Sequence, residues 1–439
     1  MTTSMNAWRL ESPGDHGWQR SARPGAPNQY FLVDTDSHAN EPVDVFQRGG
    51  IPERFRDRLP RMEIDEQGNQ WLHTEGNRKQ MVKPAANPDK PLVIDGLESD
   101  GQPWSDRMEE EDLLRMAAGS TSSPDQPGLD RRARHARIDG IDAQVVFPNR
   151  GFLGFSTRDT EFSHAMCQAW NRWAVEVYGG RNPVFAAAPM IAPMMIEESI
   201  AEVEWIAAQG FRTVCLPCAP TFGPSAPGEP GYNHPRFNPL WEAIERAGLP
   251  ITLHVATGRD PRAASGPGGA VINLAIGSLS QVIEPLAQFL SCGIFDRHPG
   301  LRVVTVEGGI GWLPWLLQTL DDATRKHHMW VRPVQQRLPS EYYRDHCGST
   351  FIEDPAGLAL VHDWNLVDNV MWSSDYPHQE GSWPHSAQAI ERQLTSFTDT
   401  ERAAIIGGTA ARIFGFDDPA KSWPATSPGS ASRSTPDPC

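Results

Sequence analysis

The sequence predicts a (β/α)8 barrel with a large insertion after its first strand. Eight short apolar or β-branched runs recur, at 31–36, 143–148, 184–189, 213–217, 250–254, 302–307, 350–353 and 370–375. Most are followed by helix-like text, the alternation that marks a parallel sheet with crossover helices. The chain has 439 residues and 39% hydrophobic content, enough for one large α/β barrel or two ordinary domains. Eight β/α units favour a closed barrel; a doubly wound sheet with an inserted domain is the other architecture considered.

Taken in order, the runs read FLVDTD, AQVVFP, VFAAAP, TVCLP, PITLH, RVVTVE, TFIE and VMWSSD. They are short and close to continuously apolar, as strands covered on both faces must be. Amphipathic helices are expected at 163–178, 196–208, 239–247, 279–292, 312–327 and 355–364. Residues 1–29 and 417–439 are rich in Pro, Ser and other polar residues without periodicity and read as tails flanking a barrel over 30–416. About a hundred residues separate the first two strand candidates. This insertion, about 43–130, is polar and Pro-rich, with apolar clusters at 91–95 and 109–118. Inserted after the first strand it lies at the catalytic face, a place for a lid or a subunit contact.

The formal net charge of -16 and the lack of a basic cluster argue against a nucleic-acid partner and point to a small-molecule substrate. No apolar stretch is long enough to span a bilayer, and no leader-like segment opens the chain, so a cytoplasmic protein without a membrane partner is expected. Six cysteines lie scattered in apolar contexts, which is no disulfide framework. Cys215 and Cys218 form a solitary C-x-x-C at a strand end and read as structural, since no second pair completes a zinc site.

Four ionisable residues stand where buried strands run out: Asp36, His38, His254 and Asp375. In a barrel those ends face the active site, and oxygen and imidazole donors converging there suit a divalent metal. The two-residue spacing of Asp36 and His38 places both side chains on one side of an extended segment. His254 ends an apolar strand that opens into a Gly-containing loop, and a carboxylate buried at Asp375 would be costly without a cation or strong donors. Glu307, before Gly308 and Gly309, is a further candidate. His378 has the reach to donate to substrate or water, and Arg150 to hold a substrate carboxylate. Glu41 reads either as an acceptor behind the metal donors, as a ligand to a second ion, or as a helix start; Trp312 and Trp315 read as packing or interface.

Several segments carry a family resemblance: VDTDSHANEP (33–42), GIDAQVVFP (140–148), PLWEAIERAGLPITLH (239–254), FDRHPGLR (295–302) and SSDYPH (373–378). Over roughly 31–416 the chain resembles the amidohydrolase-related branch of the amidohydrolase superfamily, which includes aminocarboxymuconate-semialdehyde decarboxylase and γ-resorcylate decarboxylase. The resemblance implies a metal-dependent barrel, a homodimer, and one divalent ion on Asp36, His38, His254 and Asp375, zinc first, with manganese and iron as other choices. Two departures stand out. The first ligand is Asp rather than His or Glu, and Glu307 occupies the position where the decarboxylases carry a His.

With Asp375, Glu307 and His378 as the catalytic candidates, the first expectation is a metal-dependent hydrolase cleaving a C–N, C–O or C–C bond. A carboxylate at 307 shuttles a proton near neutral pH only with a raised pKa, which sets hydrolysis slightly ahead. The alternative is a nonoxidative decarboxylase of an aromatic or unsaturated carboxylate. A second alternative is a dinuclear-iron oxygenase on the same barrel, with Glu41, Glu307 or His378 as added ligands.

Overall fold

A computed structural model describes residues 30–75, 79–83, 129–180, 182–224, 226–258, 264, 266–332, 334–378, 381–383 and 386–417. Apart from Asp417, the tails lie outside the described residues, as do the clusters at 91–95 and 109–118. Eleven strands are described. Eight are parallel: β1 (Val33–His38), β5 (Ala143–Phe147), β6 (Phe185–Ala187), β7 (Val214–Leu216), β8 (Ile251–His254), β9 (Val303–Val306), β10 (Cys347–Phe351) and β11 (Val370–Trp372). The other three, β2 (Arg61–Ile64), β3 (Gln70–His73) and β4 (Gln80–Lys83), form an antiparallel meander inside the insertion.

The eight parallel strands close into a ring. One sheet runs β1-β5-β6 and the other β11-β10-β9-β8-β7, and parallel bridges at Ser37–Tyr376 and Met190–Cys215 join them on both sides. At the first seam His38 N donates to Tyr376 O at 2.6 Å and Asp375 N to Asp36 O at 2.8 Å. At the second, Cys215 N donates to Pro189 O at 2.7 Å and Ile191 N to Cys215 O at 2.9 Å. Closure leaves the ring with no free strand edge, and it brings the two ends of the barrel sequence side by side.

All eight expected strands form. β10 starts three residues earlier than the apolar text, because Cys347, Gly348 and Ser349 pair with Val303, Val304 and Thr305. The polar residues are satisfied inside the wall, where the Ser349 hydroxyl meets those of Thr305 at 2.7 Å and Tyr343 at 2.8 Å. Expected helices appear at Thr160–Tyr178, Ile196–Gln209, Asn238–Ala247 and Leu313–Lys326. The helix expected at 279–292 begins as a 3-10 turn over Leu279–Val282 before Ile283–Ser291. That expected at 355–364 stops after Pro355–Leu358; turns then carry the chain through Asn365, at φ 54°, back toward β11, which a continued helix would overshoot.

The antiparallel meander was not expected from the polar text of the insertion. Its Asp65 turn accepts from Gln67 N, Asn69 N and the Trp71 indole, which fixes the β2–β3 connection. Arg58 pairs with Glu75 within the insertion and ties the insertion to the barrel through Asp159, the residue that caps helix Thr160–Tyr178.

A polar seam runs beneath the candidate donors. Asp34 accepts from Ser374 N at 2.8 Å, Ser374 Oγ at 2.6 Å and Gln144 Nε2 at 2.9 Å. Arg132, 4% exposed, donates to Gln144 Oε1, Ser37 Oγ and His38 O. β1 is thereby fastened to both neighbours by side chains as well as backbone.

Farther out, buried Asp139 accepts from Ser386 N at 2.9 Å and meets the Ser386 hydroxyl. Burial pushes its pKa up to about 7. The folded chain therefore keeps a proton that the unfolded chain loses from about pH 4, so Asp139 lowers stability as pH rises, and the loss levels off above about pH 7. Asp139→Asn keeps both hydrogen bonds without the charge. Urea unfolding is expected to show the advantage of the variant over wild type growing by about 2–3 kcal/mol between pH 5 and pH 8; equal differences at both pH values would refute the assignment.

Candidate metal centre

Strand ends deliver the donors. Asp36 and His38 come from β1 and His254 from the end of β8, each at most 2% exposed. Glu307 follows β9 and Asp375 lies three residues past β11. Glu307 and Asp375 both have left-handed backbones, at φ 65° and 56°, which a side-chain-bearing residue seldom adopts. Glu307 N donates to Thr350 Oγ1 at 2.9 Å, and Gly308 follows where an added Cβ would lie 2.6 Å from Val282. The turn thus directs the carboxylate inward rather than being held by it.

The side chains meet at one point. His254 Nε2 lies 3.4 Å from Asp36 Oδ1 and 3.3 Å from Glu307 Oε2. His38 Nε2 lies 3.5 Å from Asp36 Oδ1, 3.3 Å from Asp375 Oδ1 and 4.0 Å from Glu307 Oε2. Ligand atoms of Asp36, His38, His254 and Glu307 all fall within 4.8 Å of one another; His38, Asp375 and His378 form a second such group. The structure thus brings all six residues together, with Glu307 rather than Asp375 completing the four-donor group.

Both imidazoles present Nε2 to the centre. His38 Nδ1 faces Pro148 O at 2.9 Å and His254 Nδ1 faces Val255 O at 3.0 Å, so each Nδ1 carries the proton and each Nε2 offers a lone pair. Burial, with the charge of His378 beside it, pushes His38 down to about 3. Burial also lowers His254, against the pull of Glu307. Neutral imidazoles are the form that binds metal.

The carboxylates are under the opposite pressure. Burial raises Glu307 well above the usual carboxylate range, and the Asp375 charge adds to it. Burial would also raise Asp375, but His378 and His38 hold it well below that range. His38 Nε2 and Asp375 Oδ2 are buried and make no hydrogen bond of good geometry among the described residues. Inward lone pairs, clustered acids and unfilled polar atoms all fit a divalent cation.

The remaining candidates surround this centre. His378 Nδ1 is 2.9 Å from Asp375 Oδ1, its ring lies 4.1 Å from that of His38, and Asn149 Nδ2 approaches its Nε2 at 3.4 Å. Arg150 follows β5, and its Nε is buried with no hydrogen-bond partner among the described residues. Glu41 is fully buried, and both its oxygens are taken up by N–H donors, so it stands behind the wall rather than at the centre. Cys215 and Cys218 are buried thiols outside any disulfide, with Cys218 Sγ donating to His254 O at 3.1 Å. Trp312 donates to Gly308 O at 2.8 Å, whereas Trp315 is 61% exposed.

Sequence reasoning missed Asn149 and Phe152. The Phe152 ring lies 4.6 Å from that of His254 and 6.2 Å from that of His38. Neither residue belongs to a strand; only their place just after a barrel strand could have singled them out.

Comparison with known proteins agrees with this architecture. A γ-resorcylate decarboxylase of Rhodococcus jostii is 26% identical over 196 residues, 42% of this chain and 56% of that protein. The chain thus aligns with little more than half the length of that relative. An amidohydrolase structure from Mycobacterium avium subsp. paratuberculosis superposes with a TM-score of 0.68 at 21% identity, covering 89% of this chain and 99% of the other. A 5-carboxyvanillate decarboxylase from Novosphingobium aromaticivorans, solved with manganese and 4-hydroxy-3-methoxy-5-nitrobenzoic acid, superposes with a TM-score of 0.53 at 19% identity, covering 65% and 79%. The amidohydrolase family model matches residues 100–416, from the insertion to the end of the barrel. The match starts after β1, yet ring closure sets Asp36 and His38 against the matched part, and the chain belongs to the amidohydrolase family.

Proposed function

We propose that this chain is a metal-dependent nonoxidative decarboxylase acting on a small aromatic carboxylate with a neighbouring oxygen substituent. The observation that carries the reading is the pair of buried neutral imidazoles aimed with Asp36 and Glu307 at one point, with Asp375 against His38. The similarity to γ-resorcylate decarboxylase supports the decarboxylating alternative over hydrolysis, which the sequence had placed slightly ahead.

Asp36, His38, His254 and Glu307 would hold one divalent ion, and we favour manganese over zinc because carboxylate-rich donor sets suit harder ions. When bound, such an ion neutralises the substrate carboxylate and its neighbouring oxygen. Arg150 pairs with the anionic end of the substrate, and the Phe152 ring forms the apolar wall. Asp375 and His378 share one proton across their 2.9 Å contact. As the C–C bond breaks and carbon dioxide leaves, the electron pair left on the ring carbon takes that proton through Asp375. His378, with a side chain 20% exposed, restores it from water. Glu307 thus belongs with the donors rather than acting as the acid. The same reading makes the chain a cytoplasmic homodimer without nucleic-acid or membrane partners. Among the described residues no helix is long and apolar enough to cross a membrane, and five free cysteines suit a reducing compartment.

A two-iron oxygenase is the second reading, favoured by one observation: Asp375 and His378 add donors beside the first group, although the single Nε2 lone pair of His38 can serve only one ion. Elemental analysis separates them, since one manganese or zinc per chain is expected here and two irons there.

Manganese-loaded protein is expected to release carbon dioxide from 2,6-dihydroxybenzoate or 5-carboxyvanillate and to leave amides and lactones intact; the reverse pattern would restore the hydrolase. His38→Ala and Glu307→Gln, made separately, are expected to lower bound metal. Asp375→Asn is expected to keep the metal and lose about 100-fold to 10,000-fold in kcat. Metal retained in the first two, or lost in the third, would redraw the ligand set.

A further inference from the structure

The segment after β5 forms one wall of the candidate site, carrying Asn149, Arg150 and Phe152. Backbone pairing between strands has ended there, so the N–H groups of the segment need other acceptors. Glu41, three residues past His38, supplies them. Its Oε1 accepts from Asn149 N at 2.8 Å, Gly151 N at 3.1 Å and the Trp170 indole at 2.9 Å, and its Oε2 from Arg150 N at 3.1 Å.

From this we infer that Glu41 is a positioning residue: it fixes the Asn149–Arg150–Gly151 backbone, and so sets Arg150 against the substrate carboxylate and Asn149 against His378. The substrate part of this inference rests on the decarboxylase reading. Burying a carboxylate completely is costly, and a neutral acceptor would satisfy one or two amides at less cost. A carboxylate alone offers enough lone pairs for four donors, and charge-assisted bonds hold them more tightly. The packing is closed as well, since a Cβ on Gly151 would lie 2.3 Å from the Trp170 ring whose N–H is bonded to Glu41. A shift of the carboxylate therefore moves Arg150 rather than being absorbed locally. Glu41 also acts on Arg150 through space: burial lowers the guanidinium pKa, and the Glu41 charge opposes this.

The test is a double-mutant cycle on the manganese-loaded full chain, using Glu41→Gln, Arg150→Gln and both together, with 2,6-dihydroxybenzoate as the probe. Titration calorimetry gives affinity, carbon dioxide release gives kcat and KM, and elemental analysis gives the metal. Glu41→Gln is expected to weaken the probe by about 10-fold to 100-fold with metal content unchanged. The double variant is expected to be no worse than Arg150→Gln alone, because both changes remove one interaction. Wild-type affinity in Glu41→Gln, or losses that add in full, would overturn the inference. If wild type neither binds nor decarboxylates the probe, the decarboxylase reading fails separately, and amide hydrogen exchange over 149–151 decides. Faster exchange in Glu41→Gln but not in Arg150→Gln supports positioning, and equal protection overturns it. Should Glu41→Gln not fold, Glu41→Asp, which keeps the charge but shortens the reach, is put through the same cycle.

Discussion

Two carboxylates and two neutral imidazoles meeting at one point, with a third carboxylate, Asp375, against His38, are the constraint around which this barrel is organised. Carboxylates placed this close repel one another, and a water-poor pocket offers them little solvation. Glu307 and Asp375 respond in opposite directions, one driven toward its neutral form and the other kept ionised by neighbouring imidazoles. Such a cluster is tolerable beside a cation and strained without one. The fold holds it from behind: backbone carbonyls at Pro148 and Val255 fix the two imidazoles, and left-handed turns at 307 and 375 aim the two acids.

Ring closure makes the cluster possible. β1 lies between β5 and the chain following β11, so Asp36 and Asp375, 339 positions apart in the sequence, are joined by a backbone hydrogen bond. The Asp34, Ser374, Gln144 and Arg132 seam locks this arrangement one layer below. Polar residues in a barrel wall are tolerated because each finds a partner on a neighbouring strand, and those partners set the register on which the donors depend.

Much of this was legible in the sequence. The eight strands stood out because barrel strands are short, nearly continuous apolar runs, and Asp36, His38, His254 and Asp375 were conspicuous as ionisable residues at their ends. Glu307 was noticed as a departure from a resembling family and as an added ligand, but that it rather than Asp375 groups with Asp36, His38 and His254 was not readable, because a left-handed turn reverses where a side chain points. β10 was misplaced where Cys347, Gly348 and Ser349 gave no apolar signal, and the meander was missed because its strands are only four residues long and those of β2 and β3 are exposed or half-exposed, so they carry no buried apolar run.

The sequence by itself determined the barrel and the kinds of donor available, since periodicity and residue chemistry are local properties written along the chain. Only the tertiary structure decided which donors share a point, that Glu41 faces four N–H groups instead of an ion, and that Asn149 and Phe152 line the wall. Those outcomes depend on strand register, turn handedness and ring closure, which join residues hundreds of positions apart and leave no mark in the text near any one of them.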